Sequence, residues 1–76
     1  MLFKVTLTDS GWFATQDTDL YWDYDLEEMV PYNVNKWGYH HPEDRGVVFH
    51  IPANSESEAV FIAELEYSHY QNRYGR

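Results

Sequence analysis

Asp17-Thr18-Asp19-Leu20-Tyr21-Trp22-Asp23-Tyr24-Asp25-Leu26-Glu27-Glu28 is the stretch on which the fold turns, because its first half reads as a strand and its second half as the start of a helix. It carries six carboxylates and three aromatic rings, and no Lys or Arg occurs between Asp9 and Asn35. Asp17, Asp19, Tyr21, Asp23, Asp25 and Glu27 hold the odd positions, while Leu20, Trp22, Tyr24 and Leu26 hold even ones. Successive side chains of a strand point to opposite faces, so extended chain would put acids on one surface and apolar groups on the other. Carboxylates two residues apart then lie ~6.6 to 6.8 Å from each other. Like charges so arranged oppose folding. With no base close by in sequence, the row is expected to face solvent and to meet a positively charged partner. Leu20 to Tyr24 is the strand half. Asp25 is placed to cap a short helix with Glu28 at its third position and Leu26, Met29 and Val30 on one side, and Pro31 limits that helix to a turn or two. Asp25, Glu27 and Glu28 then also suit the positive end of the helix dipole.

Outward from this stretch the signals are plainer. Phe3, Val5 and Leu7 alternate with Lys4, Thr6 and Thr8, the period-two pattern of a half-buried strand. Asp9-Ser10-Gly11 supplies turn chemistry, and Trp12 to Thr15 returns as the hairpin partner. Tyr32 to Gly46, with Pro42, His40-His41 and Glu43-Asp44-Arg45, reads as a long loop. Gly46 to Ile51 is a strand ended by Pro52. Ser55-Glu56-Ser57-Glu58 is a capping box opening a helix that runs to Arg73, with Gly75 as its stop. Phe61, Ile62 and Leu65 are expected to pack on the sheet, and the second half of the helix keeps the stripe Val60, Ala63, Tyr67, Tyr70, Tyr74. The expected fold is a single α+β domain over residues 1–76: a small antiparallel sheet of three to four strands, one principal C-terminal helix and a short central helix.

A chain of 76 residues without cysteine has neither disulfides nor thiolate metal sites to reinforce a small core. Large rings must supply it, with Trp12, Trp22 and Phe49 as the expected core members. The start lacks a signal-peptide pattern, and no segment approaches ~20 consecutive apolar residues, so a cytoplasmic protein is expected. A net charge of −8 argues against direct binding to nucleic acid or to anionic membranes and in favour of a basic protein partner.

Chemistry-bearing patterns are sparse. Asp17, Asp19, Asp25 and Glu28 fall at positions one, three, nine and twelve of a calcium-loop spacing, but Trp22 stands where that loop needs glycine. His40, His41, His50 and His69 have no pair at the i, i+4 spacing of a helical zinc motif. No cysteine nucleophile, serine elbow or phosphate loop is present. No catalytic residue, metal ligand or cofactor is therefore expected, and the chain reads as a non-enzyme.

The acidic row of Asp17, Asp19, Asp23, Asp25, Glu27 and Glu28 resembles, in kind, the small acidic inhibitors made by phages and mobile elements, in particular anti-CRISPR proteins that imitate nucleic acid. The resemblance implies an inhibitor that occupies a basic nucleic-acid site on a protein target, for example the heteroduplex channel of a CRISPR effector. The partner-binding residues would be that row together with Tyr21, whose ring can stack on an arginine. Two other readings stand beside it. One is an accessory subunit docking through the tyrosine stripe of its C-terminal helix, on a larger protein or on its own copy. The other is a glycan-binding module using Trp37, Tyr39, Asn33 and Asn35. Repulsion within the acidic row also predicts a protein that moderate salt stabilises.

Overall fold

The computed structural model describes residues 1–40 and 47–74. The fold is α+β, with strands β1 (Leu2–Thr8), β2 (Gly11–Gln16), β3 (Leu20–Asp23), β4 (Glu28–Pro31) and β5 (Val47–Pro52), a short helix α1 (Val34–Trp37) and a long helix α2 (Glu56–Tyr74). The strands form two antiparallel sheets, one in the order β2-β1-β5 and the other the hairpin β3-β4. Among the described residues no helix is long and apolar enough to cross a membrane.

β1 is the central strand, and its alternation builds the core. Phe3 and Val5 are buried opposite Ile51 and Phe49 of β5, with Ala14 across from Val5 on the other side. The β1–β2 turn forms at Asp9-Ser10 as expected. Thr8 Oγ1 donates to the Gly11 carbonyl and accepts from the Ser10 amide, while Gly11 takes a φ of 117°, a conformation that glycine alone adopts without strain.

α2 covers the apolar face of this sheet. Its start is the expected box: Ser55 Oγ accepts the Glu58 amide, and the Glu58 carboxylate accepts from the Asn54 amide at 2.6 Å. The face it buries differs from the expected one. Ala59 and Ala63 are fully buried and Val60, Ile62 and Tyr67 pack beside them, whereas Phe61 is 60% exposed and Leu65 46% exposed. Phe61 and Leu65 are four residues apart and share the opposite side of the helix. Small alanines let the helix approach the sheet closely, and that proximity selects the buried face in preference to bulk. Of the tyrosine stripe, Tyr67 and Tyr70 are half-buried, and Tyr67 lies edge-on to Trp12 at 5.6 Å. The expected stop at Gly75 lies outside the described residues.

The short helix lies elsewhere than expected. Residues 24–27 are the turn of the β3–β4 hairpin, and Glu28, read as a helix position, opens β4. Asp23 organises this turn: its Oδ1 accepts the amides of Asp25 and Leu26 at 2.9 and 3.1 Å, and its carbonyl accepts the Glu27 amide. Glu27 takes a left-handed φ of 55°, which reverses the chain. Asp and Glu signals that favour a helix start serve a polar turn equally well. The helical turn of the central region is α1, capped by Asn33, whose side chain accepts the Lys36 amide, and ended at Gly38 with a φ of 78°.

Candidate functional site

The hairpin inverts the expected parity. In β3 the odd positions point toward the main sheet, so that Asp23 is 2% exposed and Tyr21 half-buried, while Trp22 is 46% exposed and Tyr24, in the turn, 84% exposed. Trp22, assigned to the core from sequence, therefore lies outside it; Phe49 is buried and Trp12 partly so. Register accounts for the outer face. Leu20 pairs with Pro31 and Trp22 with Met29, so these four side chains share one side of the ribbon, all exposed.

The inward face is polar, which is why acids can occupy it. Lys4 and His50 are neighbours across β1 and β5, and alternation points them away from the Phe49 and Ile51 side. His50 is buried there, and its Nδ1 lies 2.7 Å from Oδ2 of Asp17, whose side chain is fully buried. The carboxylate is an acceptor, so Nδ1 carries the proton. Tyr21 Oη donates to both Asp17 oxygens at 3.3 and 3.4 Å, and the Asp19 amide donates to Oδ1. Burial lowers the His50 pKa from its ordinary 6.5, outweighing the hydrogen bond and charge of Asp17. His50 is therefore uncharged at neutral pH. Burial and the Asp17 charge push the Tyr21 hydroxyl well above its usual range, and burial, with the Asp17 charge, raises Tyr32.

Most of the acidic row is paired. Lys4 reaches Asp19 at 3.2 Å, and Lys36 bonds Asp23 at 3.0 Å and Asp25 at 2.6 Å. The Lys36 hydrogen bond holds the Asp23 carboxyl below its usual range, and Asp25 and Asp23 together raise Lys36. The row is thus not the unpaired, solvent-facing surface expected from sequence: Asp17 and Asp23 are internal, and bases 15 and 13 residues away meet Asp19 and Asp23. Glu27 and Glu28 remain exposed and have no basic partner among the described residues. No protein-family model, curated protein or solved structure matches the chain.

Around the Asp17–His50 pair the rings gather into a cleft of about 550 Å³, within the usual range for a small-ligand site. Tyr32 stacks on His50 at 3.8 Å and 15°, and Tyr21 meets both edge-on at 5.3 Å. Trp37 packs against Tyr32 at 5.1 Å, and Trp22, Tyr24 and His40 complete the lining. Tyr32 is fixed by donating its hydroxyl to the Gly38 carbonyl at 2.6 Å, which ties it to the end of α1. In sequence Tyr32 opens the segment that reads as a loop, and His50 lies in the expected strand without metal-motif spacing; the signal available was a histidine inside an otherwise apolar strand, Val47-Val48-Phe49-His50-Ile51. Of the residues proposed for sugar stacking, Trp37 lines this cleft, Asn33 serves as the α1 cap, and Asn35 and Tyr39 are exposed. His41 and Glu43 lie outside the described residues, and among those described no group of three or more His, Asp or Glu could hold a metal ion.

Proposed function

We propose that the chain is a non-catalytic protein-binding module that docks through the outer face of its β3–β4 hairpin on a basic protein. The observation that carries this reading is the exposed apolar set Leu20, Trp22, Leu26 and Met29 on a hairpin whose other face is closed by the Asp17–His50 and Asp23–Lys36 pairs. Contiguous exposed apolar surface with a polar rim is the anatomy of an interface. Its rim is acidic, from Asp19, Asp25, Glu27 and Glu28, and the net charge of −8 would steer a basic partner toward it. A nucleic-acid-binding effector such as a CRISPR nuclease is a protein of that kind, and inhibition by blocking its channel is the action that the resemblance of kind implies. With Asp17 and Asp23 internal, the footprint would combine an apolar centre with a few rim charges in place of a row of phosphate-like groups.

The test compares three variants for capture of partners from a host lysate at fixed salt. Trp22→Ser with Met29→Ser should abolish capture, Glu27→Lys with Glu28→Lys should slow association several-fold at low salt, and Phe61→Ser with Leu65→Ser, on the outer side of α2, should leave it intact. Capture that survives the hairpin change and is lost with the helix change would replace this reading by docking through α2. Displacement of the protein from its captured target by duplex or heteroduplex nucleic acid would identify the blocked surface as a nucleic-acid site.

A further inference from the structure

We infer that the cleft between the hairpin, α1 and β5 binds a quaternary ammonium head group. Trp22 borders both this cleft and the docking face, so the two readings are told apart by Trp37, which lines the cleft alone, and by a ligand titration that needs no protein partner.

Three observations converge on this ligand. The lining is dominated by rings set at steep angles: Trp22 to Tyr24 at 83°, Tyr21 to Tyr32 at 82° and Trp37 to Tyr32 at 63°. A group entering the cleft meets aromatic surface from more than one direction, and ring faces attract cations through their quadrupoles. Beneath them sits the buried Asp17 carboxylate, bonded to an uncharged His50, so its negative charge is not cancelled by a cation in the pair. Among the described residues no Lys or Arg lines the cleft, and Lys36 beside Trp37 is engaged by Asp23 and Asp25.

The hydrogen bonding narrows the class further. Asp17 already accepts from His50, from the Tyr21 hydroxyl and from the Asp19 amide. Tyr21 and Tyr32 direct their hydroxyls to Asp17 and to the Gly38 carbonyl. A primary ammonium or a guanidinium would lose water here and find few acceptors in return, whereas a methylated ammonium has no N–H to satisfy and is weakly hydrated. An anion would meet a negative field. The head group could be carried by a free small molecule of the choline class or by a trimethylated lysine on a protein.

Ligand titrations followed by the indole N–H signals of the tryptophans test this at constant ionic strength. The probes are choline, its neutral isostere 3,3-dimethylbutanol, acetyl-trimethyllysine amide and a short peptide containing trimethyllysine. Choline should shift Trp22 and Trp37 and leave Trp12, which packs against Phe49 and Tyr67 under α2, in place. The neutral isostere should bind about tenfold more weakly, the margin expected of a desolvated cation on aromatic faces. Tyr24→Ala, at a site exposed enough to spare the core, should weaken choline severalfold with an unchanged melting temperature. Equal binding of choline and the lysine amide points to a free head group, and markedly tighter binding of the peptide points to a protein tail; both uphold the site. Equal binding of choline and dimethylbutanol, or no shift at Trp22 and Trp37 up to about 20 mM choline, a weaker limit than any ~1 mM site would show, overturns it.

Discussion

On one face of the β2-β1-β5 sheet, Phe3, Val5, Phe49 and Ile51 meet Ala59 and Ala63 of α2 in an apolar layer. On the other, Lys4 and His50 meet Asp17, Asp19 and Tyr21, and β5, which helps to build the core, also carries the buried imidazole that holds the Asp17 carboxylate. The first face is held by burial, which has no preferred direction and tolerates exchange of similar side chains. The second depends on particular partners, because a buried polar group left unmatched costs more than its bond contributed. A hairpin laid over a polar face turns its own polar side inward, and its apolar residues are displayed as a consequence.

The sharpest way to break this contrast is to truncate each face in turn. Phe49→Ala should cost about 3 to 5 kcal/mol, through lost burial and a cavity at a site with 2% exposure, and urea unfolding should show it as a large fall in midpoint. Asp17→Ala should cost about 1 to 3 kcal/mol, because it leaves the His50 Nδ1–H buried without an acceptor. The two differ in specificity. Phe49→Leu should recover most of the loss on the apolar face, while Asp17→Leu should recover none on the polar one.

Acid separates the faces by a smaller margin. His50 takes up its proton at lower pH when folded than when unfolded, where its ordinary value is 6.5. Its contribution is complete above that value and is lost as pH falls through the folded one, so the melting temperature should drop as pH falls below 6.5. Asp17, Tyr21, Tyr32, His40 and, at longer range, Lys4 are the groups facing it. Further acid, below the usual Asp value of 3.8, should remove the contribution of Asp23, whose carboxyl is held down by Lys36. In His50→Gln the first of these falls should flatten and the second persist, whereas Asp17→Ala, which removes the bond and charge that raise the His50 pKa, should deepen the first.

The smallest effects belong to surfaces that the sequence marked as important. Leu65→Ala, expected to remove core packing, should change stability by no more than about 0.5 kcal/mol, since Leu65 lies on the outer side of α2. Raising salt from about 0.01 to about 0.15 M should move the melting temperature little, because screening weakens the Lys4 and Lys36 pairs while it relieves the remaining repulsion.

Legibility followed the range of the forces involved. The capping box at Ser55 and Glu58, the Asp9-Ser10-Gly11 turn and the alternation of Phe3 and Val5 are local signals, and each element formed where they stand. Asp23 to Glu28 was misread because a side-chain cap on backbone amides opens a helix and closes a turn by the same hydrogen bond. The site was hidden for a different reason. Asp17 meets His50 across 33 residues, and no local period announces such a pairing. The parity of the acidic row was visible, but which side of it faced inward depended on the polar character of the sheet beneath.

The central claim is that the odd side of β3 is internal, with Asp17, just before that strand, locked to His50. Two-bond proton–nitrogen NMR correlations of the His50 ring test it most directly, since they report which nitrogen is protonated and at what pH the ring charges. The account predicts a proton on Nδ1 at neutral pH and a titration displaced below 6.5. A ring protonated on Nε2, or one that titrates at 6.5 or above, would contradict it.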